Sequence, residues 1–325
     1  MLHVVWWCRG SVTGLEGVWF IRGDPTCRSG IEATGLMRHS MSGPGHARCL
    51  FASVVSAAGL ILSGCTSETI DERLQVVVTI APLAGLVDRI AMDISDVTVM
   101  IPAGGNPVIY EPSLSRVRAA ASADLYVSVG HPAFAWENTW LAALIRRGDA
   151  PVVSSAEGCD ILPDDPHVWL SLPCARSIAE RIAGAVQRAR PEAAGSVAAS
   201  LREFLAELDD LRLHADRSLD PHRRGSFIVL HPAWGYLARD YDLQQIAILD
   251  HGSGDAGPGQ LAAIVRQGRE RGLVDVIVQP QFSAEPATLV ADELGGKTVM
   301  LDPLARDWAT TVRETIRVLS EQVKP

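Results

Sequence analysis

The segment SFIVLHPAWGYLARDY (Ser226–Tyr241) joins a short β-branched run to a helix-like stretch through a His-Pro-Ala-aromatic phrase. The phrase occurs once more, where LYVSV (Leu125–Val129) leads through Gly130 into HPAF (His131–Phe134). A short apolar run followed by a helix predicts a parallel strand of an open α/β sheet, and such sheets bind ligands beyond the carboxyl ends of their strands. The doubled phrase therefore predicts a histidine, His131 or His231, at each of two strand ends.

The same alternation of strand-like and helix-like segments continues through both halves of the chain. The other predicted strands are Leu74–Pro82, Asp96–Pro102, Pro151–Ala156, Gln244–Leu249, Val274–Pro280 and Lys297–Asp302. Ser113 is a predicted N-cap for a helix that runs through Ala121. Between the halves, Pro173–Arg190 and Pro191–Ser218 carry apolar residues at helical spacing, which predicts a helical connection.

This organisation predicts an α/β fold with two lobes, each containing a mostly parallel sheet flanked by helices, joined by one long linking helix. We expect an N-terminal lobe over residues 65–188, the linking helix over 189–224 and a C-terminal lobe over 225–325. Residues 1–64 are expected to stand outside the fold.

The N-terminal 64 residues read as a leader rather than as part of a domain. Cys49–Gly64 is an apolar run of small residues preceded by Arg48, which is typical of a signal-peptide core. It ends in Leu62-Ser63-Gly64-Cys65, which resembles the bacterial lipobox and predicts a lipid on Cys65. The alternative is a chance run of small residues before a cysteine. Residues before Met37 or Met41 are then surplus to the signal peptide.

The composition suits an exported globular protein. The 325 residues are 47% hydrophobic and 21% charged, and 29 Lys and Arg against 38 Asp and Glu give a net charge of −9. Without a basic cluster, this balance argues against nucleic-acid partners. Cys159 and Cys174 bracket His167, so they either form a disulfide around this residue in an oxidising compartment or are two buried thiols.

Three histidines and one carboxylate form a candidate metal site. His131, His231 and Asp302 follow predicted strands, and His167 lies in a Pro-rich turn. Imidazole and carboxylate are ligands for Zn²⁺, and Mn²⁺ accepts the same atoms with more oxygen. A histidine before proline at a strand end is often only a loop residue. The predicted partners that would orient the ligands are Glu111, Glu137 and Gln281. His251, after the strand-like ILD, is a reserve candidate.

Several motifs resemble the metal-binding lipoproteins of bacterial zinc and manganese ABC importers. They are DPHVWL (Asp165–Leu170), HPAWGYLARDY (His231–Tyr241), VQPQFS (Val278–Ser283), LDPL (Leu301–Leu304) and the Gly-rich region Ile101–Gly130. The resemblance implies two α/β lobes joined by a long helix, with Zn²⁺ or Mn²⁺ captured in the cleft between them. It also implies delivery of the metal to a membrane permease driven by an ATPase subunit.

The resemblance assigns ligands position by position, and one position departs from the pattern. It implies that His167, His231 and Asp302 bind the metal. The family's first histidine, directly after a proline in the Gly-rich loop, is replaced here by Val108. Three outcomes stay open: His131 supplies the missing nitrogen, or three protein ligands are completed by water or Glu111, or metal binding is weak and another ligand is carried.

The rival interpretations come from other classes of protein. One is a binding protein for haem or a siderophore on a related scaffold, and another is a surface adhesin on the same fold. A metal-dependent hydrolase would need a general base beside a metal-bound water, and no residue is spaced for that role. The expectation is a non-enzymatic, monomeric, lipid-anchored solute-binding protein outside the cytoplasm.

Overall fold

The computed structural model describes residues 73–91, 93–145, 150–251 and 256–323. Ser67–Pro325 form one compact unit. The predicted signal peptide and Cys65 lie outside the described residues.

The first sheet contains four parallel strands. They are β1 (Leu74–Ile80), β2 (Ser95–Ile101), β3 (Leu125–Ser128) and β4 (Val152–Ser154). Helices α1 (Ala81–Ala91), α2 (Leu114–Ala121) and α3 (Ala135–Ile145) follow the first three strands. The strand order is β2-β1-β3-β4, so the order reverses between β1 and β3. Such a reversal opens a crevice at the carboxyl ends of the strands, where open α/β sheets bind ligands.

The second sheet repeats this topology. Its strands are β5 (Ser226–Val229), β6 (Gln244–Ala247), β7 (Val276–Val278) and β8 (Thr298–Met300), in the order β6-β5-β7-β8 and all parallel. Its helices are α6 (Gly235–Asp240), α7 (Pro258–Arg271), α8 (Glu285–Leu294) and α9 (Trp308–Gln322). The two parallel sheets flanked by helices confirm the predicted fold class.

Two long helices connect the sheets. α4 (Leu172–Ala189) and α5 (Ala194–Leu219) lie between them, and α5 has 26 residues, which corresponds to about 39 Å at 1.5 Å per residue. The buried side chains of α5 recur every three, four or seven positions: Val197, Phe204, Leu208, Leu211, Ala215 and Leu219. This stripe packs into the main core, so burial rather than local propensity holds the helix.

The closing helix α9 returns to the first lobe. It contacts α5 and α1, and the rings of Trp308 and Phe204 lie 5.7 Å apart. The backbone that leads into α9 passes so close to α1 that a Cβ on Gly85 would lie 1.8 Å from the carbonyl oxygen of Arg306. The guanidinium of Arg306 also binds both carboxylate oxygens of Asp88, at 2.7 and 2.9 Å. The lobe boundary at residue 225 stays a prediction. Helix α9 belongs to the predicted C-terminal lobe, yet it packs on α5 and on α1 of the first lobe.

Local chemistry sets the ends of the elements near the crevice. The hydroxyl of Ser113 accepts the backbone N–H of Arg116, which confirms the predicted N-cap of α2. Ser171 caps α4 in the same way, directly after the His167 turn. Gly130 has a φ of 68°, and a Cβ there would lie 1.9 Å from the hydroxyl of Ser154. Glycine is therefore required between β3 and His131.

Candidate metal centre

The loop between β4 and α4 carries the DPH motif and is held at several points. A disulfide joins Cys159 to Cys174, with Cα atoms 5.5 Å apart. The hydroxyl of Tyr236, on α6, donates to the carbonyl oxygen of Asp165 at 2.9 Å and accepts the N–H of Leu162 at 3.1 Å. A residue of the second lobe thus fixes the position of this first-lobe loop.

Asp165 and His167 form an orienting pair. Oδ1 of Asp165 accepts hydrogen bonds from the backbone N–H of His167 at 2.9 Å and from its Nδ1–H at 2.7 Å. Burial alone would raise the pKa of the Asp165 carboxyl, but His167 and these hydrogen bonds hold it well below its usual range. The pair fixes the tautomer of His167, so its Nε2 is left to act as an acceptor or a metal ligand.

His231 follows β5 in a rigid setting. Gln279 accepts the backbone N–H of His231 at 3.3 Å and donates to its carbonyl oxygen at 2.7 Å. Phe282 stacks on the imidazole with ring centroids 4.6 Å apart. Burial, followed by the neighbouring His167 and His251, lowers the pKa of His231 to about 2, so the ring is neutral at physiological pH. Its buried Nδ1 has no hydrogen-bond partner among the described residues.

The rings of three histidines lie close together on the wall of the crevice. The ring centroids of His167 and His231 lie 5.3 Å apart, those of His231 and His251 5.7 Å, and those of His167 and His251 5.8 Å. Asp165, His167 and His251 also offer ligand atoms that lie within 4.8 Å of one another. Imidazoles in such an arrangement suit a transition-metal ion.

His131 is not brought into this group. It is buried, its Nδ1 accepts the N–H of Ala133 at 3.0 Å, and its Nε2 therefore carries the proton and donates to the carbonyl oxygen of Leu162 at 3.0 Å. Both ring nitrogens are used within the protein. The hypothesis that His131 replaces the nitrogen missing at Val108 loses its support, and His131 instead holds the loop that leads to His167.

Asp302 and Gln281 form a pair at the edge of the crevice. Gln281 donates its amide N–H to Oδ1 of Asp302 at 2.7 Å, and the backbone N–H of Leu304 reaches the same oxygen at 2.9 Å. Oδ2 of Asp302 is not used in these bonds. Gln281 lines the same cavity as the three histidines, so its contact with Asp302 is the kind expected of an orienting partner. That Asp302 is a ligand stays a prediction.

The two predicted glutamate partners lie elsewhere. Glu137 is buried and accepts hydrogen bonds from the backbone N–H groups of Val129 and Gly130, each at 2.7 Å, and from the hydroxyl of Thr79. Burial raises the pKa of Glu137. Its carboxylate therefore holds the turn that precedes His131 and does not orient a ligand. Glu111 is exposed on the loop before α2.

The crevice is a cavity of about 380 Å³ with both polar and aromatic walls. His167, His231, His251 and Gln281 line it together with Val108, which is 56% exposed. Trp136 and Trp169 contribute to the wall, and their indole N–H groups bond to the carbonyl oxygens of Tyr110 and Pro303. Val108 therefore lies on the wall of the cavity, at the position where the resemblance implies a histidine.

The chain matches a known family over most of its described length. The family described as "Zinc-uptake complex component A periplasmic", ZnuA, matches residues 76–322. The chain belongs to this family. ZnuA proteins are solute-binding components of metal transport systems.

Individual relatives carry both zinc and manganese in their names. The chain is 25% identical over 282 residues to the high-affinity zinc uptake system protein ZnuA of Bacillus subtilis, covering 77% of this chain and 87% of the relative. It is 26% identical over 260 residues to the manganese-binding lipoprotein MntA of Halalkalibacterium halodurans, covering 75% and 85%. The zinc-binding lipoprotein AdcA of Streptococcus pneumoniae is 27% identical, but the chain spans only 54% of its length.

Solved structures give the same relationship. A crystal structure of ZnuA superposes with a TM-score of 0.72 at 30% identity, covering 77% of this chain and 99% of that one. A second ZnuA structure, a 138–173 deletion mutant with zinc bound, gives a TM-score of 0.71 at 30% identity. Within residues 73–323, apart from the short gaps in the description, no helix has the length and apolar character needed to cross a bilayer.

Sequence reasoning named two of the three clustered imidazoles as ligands and kept the third in reserve. His251 follows a predicted strand, as His231 does, and this position makes it a reserve candidate for a metal ligand. No role of its own is predicted from the sequence for Asp165, which appears only within the DPH motif. The DPH spacing itself could have indicated its role, because an aspartate two residues before a histidine can accept from both the backbone and the ring of that residue.

Proposed function

We propose that this protein is the solute-binding component of an ABC importer and captures Zn²⁺ or Mn²⁺ in the crevice between its lobes. The observation that carries the proposal is the convergence of His167, His231 and a third imidazole in a chain of the ZnuA family. The metal is the cargo, which is bound, carried and released unchanged.

Zinc fits the crevice better than manganese does. Imidazole nitrogen suits Zn²⁺, whereas Mn²⁺ favours carboxylate and carbonyl oxygen. His231 is neutral and held by Gln279, so it can donate a lone pair without first losing a proton. Asp302 completes the proposed set as the oxygen ligand, with Gln281 orienting its carboxylate.

The partners follow from the class of protein. An ABC importer consists of a membrane permease and an ATPase subunit, and this protein delivers the metal to the permease. We propose that it acts as a monomer, outside the cytoplasm, tethered by a lipid on Cys65. The relatives named as lipoproteins, AdcA and MntA, support the anchoring, and the Leu-Ser-Gly-Cys sequence that ends at Cys65 supports its position.

A hydrolytic role has less support. A hydrolase needs a general base beside a metal-bound water. Oδ1 of Asp165 already accepts two hydrogen bonds from His167, and the carboxylate of Glu137 accepts the backbone N–H of Gly130. The clustered imidazoles likewise favour a bare ion over haem or a siderophore, which would bind through its own chelating groups.

Calorimetry with the purified, chelator-treated protein tests the proposal. We expect one Zn²⁺ per chain, with strongly reduced affinity in His167→Ala and His231→Ala. His214→Ala is the matched control, because His214 lies on α5 and does not line the cavity. If the unaltered protein takes up neither Zn²⁺ nor Mn²⁺, the proposed function is wrong.

A further inference from the structure

Within the described residues, the imidazole of His251 makes no hydrogen bond through its Nε2 that would explain its position. It follows β6 at the carboxyl end of the second sheet, and its side chain is 30% exposed. Its Nε2 is buried, and no hydrogen-bond partner for this atom is found in the described part of the chain. A buried polar nitrogen without a hydrogen-bond partner destabilises a protein, so a bound ligand would relieve this penalty.

The centroids of the three rings are spaced like those of imidazoles around one ion, and ligand atoms of His167 and His251 lie within 4.8 Å of each other. Imidazoles bound to a single Zn²⁺ at about 2.0–2.1 Å in tetrahedral directions have centroids roughly 5 Å apart. The observed separations are 5.3, 5.7 and 5.8 Å, so His251 completes a nearly equilateral triangle with His167 and His231.

The carboxylate of Asp165 lies close to both His167 and His251. Its Oδ1 accepts from Nδ1 of His167 at 2.7 Å and lies 3.6 Å from Nε2 of His251, which is longer than a hydrogen bond. The carboxylate already receives two hydrogen bonds from His167, so it acts as an orienting group. The Nε2 of His251 thus lies near Asp165 and His167 and has no hydrogen-bond partner among the described residues.

The first lobe offers no competing nitrogen on the described wall of this cavity other than His167. Val108 is the residue of the Gly-rich loop that lines the cavity, and its side chain cannot bind a metal. His131 is excluded because both of its ring nitrogens are bonded within the protein. Among the described residues that line the cavity, His251 of the second lobe is the remaining imidazole.

We propose that His251 is a metal ligand and supplies the nitrogen that the Gly-rich loop of this chain cannot provide. This inference rests on the proposed function and names the chain's own version of that site. Two of the three imidazoles, His231 and His251, then belong to the second lobe. His167 alone represents the first lobe among the nitrogen ligands.

Zinc titration of His251→Ala tests the assignment, with His214→Ala as the control. We expect the affinity to fall by at least about 100-fold, beyond the 10–100-fold typical of losing an orienting partner. X-ray absorption of the zinc-loaded proteins should count three imidazole ligands in the unaltered chain and two in His251→Ala. Thermal unfolding of the metal-free His251→Ala protein should remain cooperative, with a midpoint no lower than that of the unaltered chain, which separates a lost ligand from a lost fold.

The outcomes distinguish this inference from the function on which it rests. Unchanged affinity, or an unchanged count of three imidazoles in His251→Ala, would overturn the assignment and leave the proposed function standing. Absence of zinc and manganese binding in the unaltered protein would overturn both.

Discussion

Oδ1 of Asp165 accepts the Nδ1–H of His167 at 2.7 Å, and both groups are buried in a loop that the second lobe holds in place. The contact spans only two positions of sequence, yet it determines which nitrogen of His167 faces the crevice. A ligand ring that is held in one orientation in this way binds a metal more tightly.

Asp165→Ala is expected to lower the zinc affinity by about 10–100-fold without changing the stoichiometry of one ion per chain. His167 keeps its ring but loses the group that fixes its tautomer and orientation. Calorimetry measures both quantities. Asp210→Ala, a change at an exposed carboxylate of α5 that does not line the cavity, is the control, and equal affinities in the two variants would contradict the orienting role.

His131→Ala is expected to keep stoichiometric zinc binding while lowering the free energy of unfolding by about 1–3 kcal/mol. The variant leaves the carbonyl oxygen of Leu162 and the N–H of Ala133 without their partner. Urea denaturation gives the loss of stability. Abolished metal binding in a folded His131→Ala protein would restore His131 as a ligand.

Glu137→Gln is expected to lower the free energy of unfolding by about 1–3 kcal/mol with a smaller effect on metal affinity. The carboxylate accepts the N–H groups of Val129 and Gly130 on its two oxygens, and an amide cannot accept on its nitrogen. Glu111→Gln, at an exposed position, is the matched control. A large loss of affinity at full stability would show that Glu137 acts on the metal.

The metal-free protein is expected to lose stability as the pH falls below about 6.5. The pKa of His231 drops from 6.5 to about 2 on folding, so between these values the unfolded chain binds a proton that the folded chain does not. The stability is fully present above pH 6.5 and is lost toward pH 2. Urea denaturation with a chelator, between pH 7.5 and 4.5, measures the slope, and His231→Leu should flatten it. An equal slope in both proteins would contradict the prediction.

Gly85→Ala is expected to lower the free energy of unfolding by about 1–3 kcal/mol, because its methyl group would meet the carbonyl oxygen of Arg306. Gly195→Ala is the matched control, since nothing lies within 4 Å of a Cβ there. That change in α5 should stabilise the protein by about 0.5–1 kcal/mol. Thermal or urea unfolding compares the two, and equal effects would contradict the close contact of α1 with the segment before α9.

The fold followed from the sequence because its signals are local. Each strand is a short apolar run that ends in a turn, as in SFIVL before His231, and the helix after it shows a period of 3.6 residues. The strand order β2-β1-β3-β4 is a tertiary property, and no residue type encodes it directly. The packing of α9 on α1 was also unforeseen, since the amphipathic stripe of α9 does not identify which surface it covers.

The site was predictable where its chemistry is contained in a motif. His167 and His231 were named from the DPH and HPAW phrases, and both line the crevice. The proximity of His251 to His167 depends on how the second sheet faces the first, so spacing along the chain could not give it. The bonding of His131 to Leu162 was hidden for the same reason, because the repeated phrase gives residue type and strand end but not the direction of the ring.

The course of the chain between the lobes limits how the protein can release its cargo. The backbone crosses from the first lobe to the second through α4 and α5, and it returns through the segment that follows β8 into α9. The indole N–H of Trp308 bonds to the carbonyl oxygen of Trp169 at 2.6 Å on this return path. Because the chain connects the two lobes at two separate places, one lobe can rotate much less relative to the other than it could about a single hinge. The metal crevice is therefore expected to open by loop displacements of a few ångströms. The conformation of these loops would then distinguish the loaded from the empty protein when it meets the permease.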